Sequence, residues 1–112
     1  HRSGSKLDRL FRSGRDGQTD LLISVVNLAE VLMHTADLTR ATGVDAIALL
    51  TASRVRIHQP DETIARRVAK LHTSLADGFA AATAQELGAR LHTTDAELVR
   101  QLRATRLAIT EY

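Results

Sequence analysis

Three acidic residues lie where carboxylates can act together on a phosphate-containing substrate. Glu30 lies one turn into the helix predicted after the first apolar strand, Asp77 in the first turn of an alanine-rich helix, and Asp95 directly beyond the third predicted strand. In a parallel sheet, Glu30 and Asp95 fall at the same edge, and a helix start can bring Asp77 to them. Converging carboxylates repel one another unless a divalent cation neutralises them. Hard oxygen ligands suit Mg²⁺ or Mn²⁺, which polarise a phosphoryl oxygen and activate water.

Each of these acids also has an ordinary structural explanation. The pairs Asn27 with Glu30 and Ser74 with Asp77 have capping-box spacing, and acids in a first turn complement the helix dipole. Asp95 can cap its own helix, with Thr94 and Glu97 as an overlapping alternative. Because caps of this kind occur at many helix starts, position alone favours capping and leaves metal binding open.

Other catalytic arrangements find no support in the sequence. There is no Gly-rich phosphate loop, no G-x-S-x-G elbow and no H-E-x-x-H motif, and the absence of cysteine excludes a thiolate metal site. The spacing of His34, His58, His72 and His92 does not indicate a zinc site. His92 flanks Asp95 and is compatible with a supporting role, although an exposed histidine at a strand end is the commoner case.

Composition indicates a single globular domain. The chain has 112 residues, of which 44% are hydrophobic and 25% charged. The lack of cysteine fits a reducing compartment, no apolar run reaches the length of a membrane span, and the polar start carries no secretory signal. We therefore expect a cytoplasmic protein with no membrane contact.

Basic residues cluster near the start of the chain. The net charge is only +2, yet Arg2, Lys6, Arg9, Arg12 and Arg15 all lie in the first fifteen residues. Such a patch can meet phosphates electrostatically, although a solvated helix face is the commoner explanation. We interpret residues 1–5 as the end of a tag or a linker, and residues 6–112 as the domain.

Hydrophobic periodicity predicts helices alternating with short strands. Strands are expected at 21–26, 55–58, 89–93 and 107–109, and helices at 6–12, 27–41, 46–52, 62–71, 75–87 and 95–103. Thr42 is the predicted cap of the third helix, with Asp45 as its capping partner; Asp61 and Ser74 are predicted to cap later helices, and Gly88 to end one. This order specifies an α/β fold with a largely parallel sheet and right-handed crossovers.

Three segments of the chain match motifs of one known family. They are ISVVNLAEV (23–31), a strand and helix with an acid; SLADGFAAATA (74–84), an alanine-rich helix; and LGARLHTTD (87–95), a strand followed by an acid. Together they resemble the motifs of PIN-domain ribonucleases of the VapC toxin type. They occur in the family's order and spacing, and the resemblance extends over nearly the whole chain from Lys6.

The resemblance implies a PIN-like three-layer α/β/α fold and a metal-dependent endoribonuclease. It implies that Glu30, Asp77 and Asp95 are catalytic metal ligands for Mg²⁺ or Mn²⁺, with Thr93 as a supporting polar group. It also implies an RNA substrate whose phosphodiester bonds are hydrolysed, and neutralisation by a cognate VapB-type antitoxin.

The chain departs from the family pattern at its start. PIN domains open with a strand that carries an aspartate and lies in the middle of the sheet, and nothing before residue 21 matches it. We therefore expect an N-terminally incomplete domain with weak or no nuclease activity. Exposed strand edges would then favour a homodimer or strand-sharing with another chain. The alternative function is an inactive PIN fold that binds an antitoxin or RNA without cutting.

Overall fold

Short parallel strands alternate with helices through the part of the chain that the structure describes. A computed structural model describes residues 2–43 and 45–112, with the side chains of 6, 8–36, 39–40, 43, 45, 47–48 and 50–112. The chain divides into two compact units, Ser3–His58 and Gln59–Tyr112, which we call unit 1 and unit 2. The elements are α1 (Arg2–Arg15), β1 (Leu22–Ser24), α2 (Val25–Thr42), α3 (Ala46–Ala52), β2 (Arg56–His58), α4 (Glu62–Leu71), α5 (Leu75–Leu87), β3 (Leu91–Thr93), α6 (Ala96–Gln101) and β4 (Ile109–Glu111).

Unit 1 contains a parallel pair of strands next to a closely packed helix. β1 pairs with β2 so that Ser24 lies opposite His58, and the ladder is flanked by an ion pair between Arg56 and Asp20 at 2.6 Å. Gly14 of α1 is buried, and a Cβ there would lie 2.8 Å from the carbonyl oxygen of Ser53. Only a residue without a side chain allows α1 to approach this closely.

The predicted boundary between β1 and α2 was wrong. Ser24 is the N-cap of α2, because its hydroxyl accepts a hydrogen bond from the amide of Val26 at 3.2 Å. Val25 and Val26 therefore belong to the helix and not to the strand. An apolar β-branched run is compatible with either element, so the capping serine was the better signal.

The start of α3 also differs from the prediction. Asp45 caps this helix itself, since its Oδ1 accepts from the amides of Ile47 at 2.9 Å and Ala48 at 3.3 Å. Thr42, the predicted cap, is instead the last residue of α2, which ends at Gly43 in the left-handed conformation (φ 76°). An Asp at a helix start accepts such bonds as well as Thr does, and sequence alone did not rank the two.

Unit 2 is built around α5, a helix whose small residues allow neighbours to approach closely. α4 packs against α5, and a Cβ at Gly78 would lie 2.8 Å from Cγ1 of Val68 and 3.0 Å from Oγ1 of Thr73. The caps of both helices agree with the prediction: Asp61 Oδ1 accepts from Ile64 and Ser74 Oγ from Asp77, while Gly88 ends α5.

The core of unit 2 joins α5 to the second pair of strands. It consists of Ala81, Ala84, Leu91, Leu98 and Leu102, all fully buried. β3 and β4 are parallel, with Leu91 opposite Ile109 and Thr93 opposite Glu111. The core thus holds α5, β3 and α6 together.

The predicted fold class is confirmed, with smaller differences at the ends of elements. Both ladders are parallel, and within the described residues they are separate two-stranded sheets. α1 extends over Arg2–Arg15 and is therefore longer at both ends than the predicted helix 6–12. The last strand lies two residues later than predicted, at Ile109–Glu111. The packed contact at Gly14 explains the longer helix, since a glycine that normally weakens a helix is here required by packing.

Candidate active site

Asp95 lies between β3 and α6, where its two carboxylate oxygens have different surroundings. Oδ1 accepts hydrogen bonds from the amides of Glu97 at 2.9 Å and Leu98 at 3.2 Å, so Asp95 is the N-cap of α6. Oδ2 makes no hydrogen bond or ion pair with any residue in the described ranges. One oxygen therefore fixes the backbone, while the other remains available to a ligand.

Thr93 holds the turn that presents Asp95. Its hydroxyl accepts from the amide of Asp95 at 3.0 Å, and its carbonyl oxygen accepts from the amide of Tyr112 at 2.9 Å. These bonds tie the end of β3 to the start of α6 and to the end of β4. Thr93 thus acts on the geometry of Asp95 through the backbone.

Asp77 lies in the first turn of α5 and is half-buried. Its backbone amide donates to the Ser74 cap at 3.3 Å, so the capping interaction uses its backbone and not its side chain. Its carboxylate has no hydrogen bond or ion pair with the residues that the structure describes. Ser74 therefore caps α5, whereas the sequence was also compatible with a capping role for the Asp77 side chain.

Asp77 and Asp95 are carried to the same end of unit 2. Asp77 precedes Ala81 and Ala84 by four and seven residues, so the three share one face of α5. That face packs on the core with Leu91 and Leu98. The connection 88–90 is too short to carry the chain back along the length of α5. Strand β3 therefore runs in the direction opposite to α5. The start of α5 and the end of β3 therefore lie at one end.

Glu30 lies in unit 1, in the second turn of α2. Because the helix begins at Val25 and is capped by Ser24, the capping box of Asn27 with Glu30 is wrong. Glu30 is exposed, and in the described part of the chain its carboxylate makes no hydrogen bond or ion pair. No structural role in the helix cap accounts for this acid.

His92 and Tyr112 form a contact beside this region that the sequence did not reveal. His92 Nδ1 lies 2.7 Å from the hydroxyl of Tyr112, and the two rings stack with centroids 5.7 Å apart. Burial lowers the pKa of His92 below its ordinary value, and the charge of Arg90 lowers it further. The position of β4 brings these residues together, and no local sequence signal predicts that register.

Arginine side chains near Asp95 add positive charge. Arg100 donates from Nε to Glu97 at 3.0 Å. The pKa of Arg100 is raised, chiefly by its hydrogen bond to Glu97 and to a smaller extent by the charges of Glu111 and Asp95. The end of unit 2 that contains Asp95 therefore carries both acidic and basic side chains.

The donor types suit a hard divalent cation, whereas the described residues do not by themselves enclose one. Glu30, Asp77 and Asp95 each offer a carboxylate oxygen that has no partner among the described residues, and carboxylate oxygens are ligands that Mg²⁺ and Mn²⁺ prefer. Among the residues that the structure describes, no group of three or more His, Asp or Glu side chains is close enough to hold a metal ion. The chemistry of the three carboxylates thus fits Mg²⁺ or Mn²⁺.

Comparison with known families identifies the chain. A family model described as the PIN domain matches residues 2–103, which is most of the 112-residue sequence. The chain belongs to the PIN domain family. PIN domains are generally nucleases that depend on a divalent metal, so this chain carries the fold of an RNA-cleaving family. Comparison with curated proteins and with solved structures gave no match.

The structure gives one result on membranes. None of the helices in residues 2–43 and 45–112 is both long enough and apolar enough to cross a bilayer.

Proposed function

We propose that this PIN-domain chain is a metal-dependent endoribonuclease of the VapC toxin type, which hydrolyses RNA phosphodiester bonds. The observation that carries the proposal is the state of the three motif acids. Glu30 and Asp77 do not cap their helices with their side chains, and Asp95 uses only one oxygen to do so. Each acid therefore keeps a carboxylate oxygen that has no partner among the described residues and is available to a metal ion.

Glu30, Asp77 and Asp95 are the proposed metal ligands, and Mg²⁺ or Mn²⁺ the proposed ions. When bound, such an ion polarises a phosphoryl oxygen and lowers the pKa of bound water. The chain's own residues orient the ligands. The Thr93 hydroxyl and the α6 amides fix Asp95, and Ser74 fixes the first turn of α5 that carries Asp77.

The decisive experiment is cleavage of a structured RNA with Mn²⁺ present or chelated. We expect weak cleavage by the wild-type chain, no cleavage with EDTA, and a further loss in Asp77→Asn, because this variant lacks a charged ligand of the ion that stabilises the transition state. Asp61→Asn is the control, because Asp61 is another aspartate at the start of a helix in unit 2 but lies outside the family motifs. Equal loss in both variants, or EDTA-resistant cleavage, would reject the proposal.

A protein partner is the second part of the proposal: a VapB-type antitoxin that neutralises the nuclease, and a second copy of the chain in a homodimer. An exposed apolar face of α2 supports such contacts, since Val25, Leu32 and Met33 lie at helical spacing and are 40%, 37% and 78% exposed. Expression of the chain in a bacterial host should inhibit growth, and co-expression of a cognate VapB-type antitoxin should restore growth. Inhibition that persists in Asp77→Asn would contradict toxicity by RNA cleavage.

A further inference from the structure

We infer that α1 carries an RNA-binding surface, formed by Lys6, Arg9, Arg12 and Arg15, which we call the basic ridge. These side chains would bind the phosphate backbone of single-stranded RNA. The inference rests on the proposed ribonuclease function, because it names the surface of unit 1 that meets the substrate.

Helical geometry places the basic ridge in a continuous row. Its members follow one another at every third position, so that each step advances about 4.5 Å along the axis and turns about 60° backwards around it. Residues three apart on a helix are neighbours on its surface. All four side chains are exposed. The four exposed charges therefore form a row that winds about half-way around the helix from Lys6 to Arg15.

The cations of the basic ridge have no acidic partners in the described residues. Asp8 and Asp16 lie on the same helix surface or just beyond it, yet neither forms an ion pair with the ridge. Four arginines outside the ridge do form ion pairs: Arg56 with Asp20, Arg66 with Glu62, Arg67 with Glu86 and Arg100 with Glu97. Four unpaired cations in a row are thus free to neutralise an anionic partner.

The apolar side of α1 is already occupied by packing. Leu10 and Phe11 are half-buried, and Gly14 lies against Leu21 and the Ser53 carbonyl. A basic amphipathic helix that binds membranes must insert its apolar side among the lipids. Because this side packs within unit 1, a partner meets the charges alone. That favours the phosphate backbone of a nucleic acid over a lipid surface.

The types of the basic residues in the ridge also favour RNA as the partner. Three of the four cations are arginines, whose planar guanidinium groups hold phosphate oxygens with two parallel hydrogen bonds. A row of phosphates along an RNA strand offers repeated anions of this kind. The ridge would hold the backbone without reading its sequence.

The test is binding of fluorescein-labelled oligouridine by anisotropy, in EDTA so that no cleavage occurs. The variant is Arg9→Gln with Arg12→Gln and Arg15→Gln. At about 0.1 M salt we expect its affinity to fall by ~100-fold, and the slope of log K against log salt to fall by about 2, since each phosphate contact on a single strand contributes about 0.7. The matched control is Lys70→Gln with Arg103→Gln and Arg106→Gln, which removes the same charge from exposed, unpaired cations of unit 2.

The outcomes separate the inference from the proposed function. If both triple variants bind oligouridine alike, or if phosphatidylserine vesicles and not oligouridine bind in a ridge-dependent way, the inference is overturned whether or not the chain cleaves RNA. If binding depends on the ridge while no RNA is cleaved with Mn²⁺, the inference stands and the proposed nuclease function fails. Equal urea midpoints for the two variants show that α1 still packs.

Discussion

The carboxylate of Asp95 has two roles: it caps helix α6, and it is a proposed metal ligand. Oδ1 accepts two amide hydrogen bonds at the start of α6, and Oδ2 is left without a described partner. An asparagine keeps a cap oxygen but removes the charge that a cation needs, whereas an alanine removes both. Substitutions at this position therefore separate the two roles.

We predict that Asp95→Asn lowers the free energy of unfolding only slightly, while Asp95→Ala lowers it by about 1 kcal/mol, the usual value of an N-cap. Both variants should lose Mn²⁺-dependent RNA cleavage. Urea denaturation and the cleavage assay measure the two effects on the same preparations. Wild-type activity in Asp95→Asn would show that the second oxygen is not a ligand.

His92 should make the stability of the fold depend on pH. Its pKa in the folded protein lies below the ordinary value of 6.5, chiefly because of burial. The unfolded chain therefore binds the proton more tightly. This contribution to stability is complete above about pH 6.5 and is lost as the pH falls below that value towards the lowered pKa.

The measurement is urea denaturation between neutral and mildly acidic pH. We expect the free energy of unfolding of the wild-type chain to fall more steeply below about pH 6.5 than that of His92→Gln, which lacks the titrating ring. Tyr112→Phe removes the hydroxyl that contacts Nδ1 and serves as a second comparison. Parallel pH curves for wild type and His92→Gln would refute this assignment.

At the scale of elements, the close approach of α4 to α5 depends on Gly78. A methyl group at this position would meet Val68 Cγ1 at 2.8 Å. Overpacking of this kind costs about 1–3 kcal/mol, against about 1 kcal/mol gained from better helix propensity. We predict that Gly78→Ala destabilises the protein, as measured by denaturant unfolding.

A second substitution tests whether the contact is the cause. Val68→Ala removes the Cγ1 atom, so the double variant should recover part of the loss, and a double-mutant cycle should give a coupling energy of about 0.5–3 kcal/mol. Gly88→Ala is a useful contrast, because Gly88 has a positive φ of 62° and no heavy atom within 4 Å of an added Cβ. There the cost would come from backbone conformation alone. Additive effects of Gly78→Ala and Val68→Ala would contradict the packing explanation.

Sequence predicted best those elements whose ends are fixed by local side chains. Helices α4 and α5 had their bounds and caps assigned correctly, since Asp61, Ser74 and Gly88 act within one turn of the helix ends. The start of α2 was misplaced because valines suit strands and helices alike. The predicted position of β4 was two residues too early, and the contact of Tyr112 with His92 was missed, because strand pairing depends on distant segments.

At the scale of the whole molecule, a bound cation should stabilise the fold. A ligand that binds only the folded chain adds about 2.7 kcal/mol when its concentration is 100 times its dissociation constant. We predict that Mn²⁺ raises the Tm of the wild-type chain by roughly 10 °C under such conditions. The increase should vanish in the combined variant Glu30→Gln, Asp77→Asn, Asp95→Asn, as measured by thermal melting.

Two comparisons sharpen this prediction. Asp61→Asn should keep the Mn²⁺-induced increase, because Asp61 is a cap and not a proposed ligand. Ca²⁺ and Mg²⁺ should be compared with Mn²⁺, since they take oxygen ligands with different coordination geometry. An increase that persists in the triple variant would locate the cation elsewhere on the molecule.

The three motif acids were identifiable from sequence, but which of them cap their helices was not. Capping-box spacing assigned Glu30 and Asp77 to helix ends as readily as to a metal. The backbone settles part of this question, because Ser24 and Ser74 perform the capping and leave both carboxylates without a described partner. Whole-chain similarity to the PIN domain supplies the family, which no single acid could.

The stacking of Tyr112 on His92 gives the molecule a built-in optical reporter. Tyr112 is the only tyrosine in a sequence without tryptophan, so ultraviolet fluorescence of the chain originates almost entirely from the end of β4. The backbone amide of Tyr112 donates a hydrogen bond to the carbonyl oxygen of Thr93, which precedes Asp95 by two residues. The intensity of the Tyr112 fluorescence therefore reports on the end of β4, beside the proposed metal ligand Asp95. Cation binding, acidification and unfolding can each be followed through this signal without a dye.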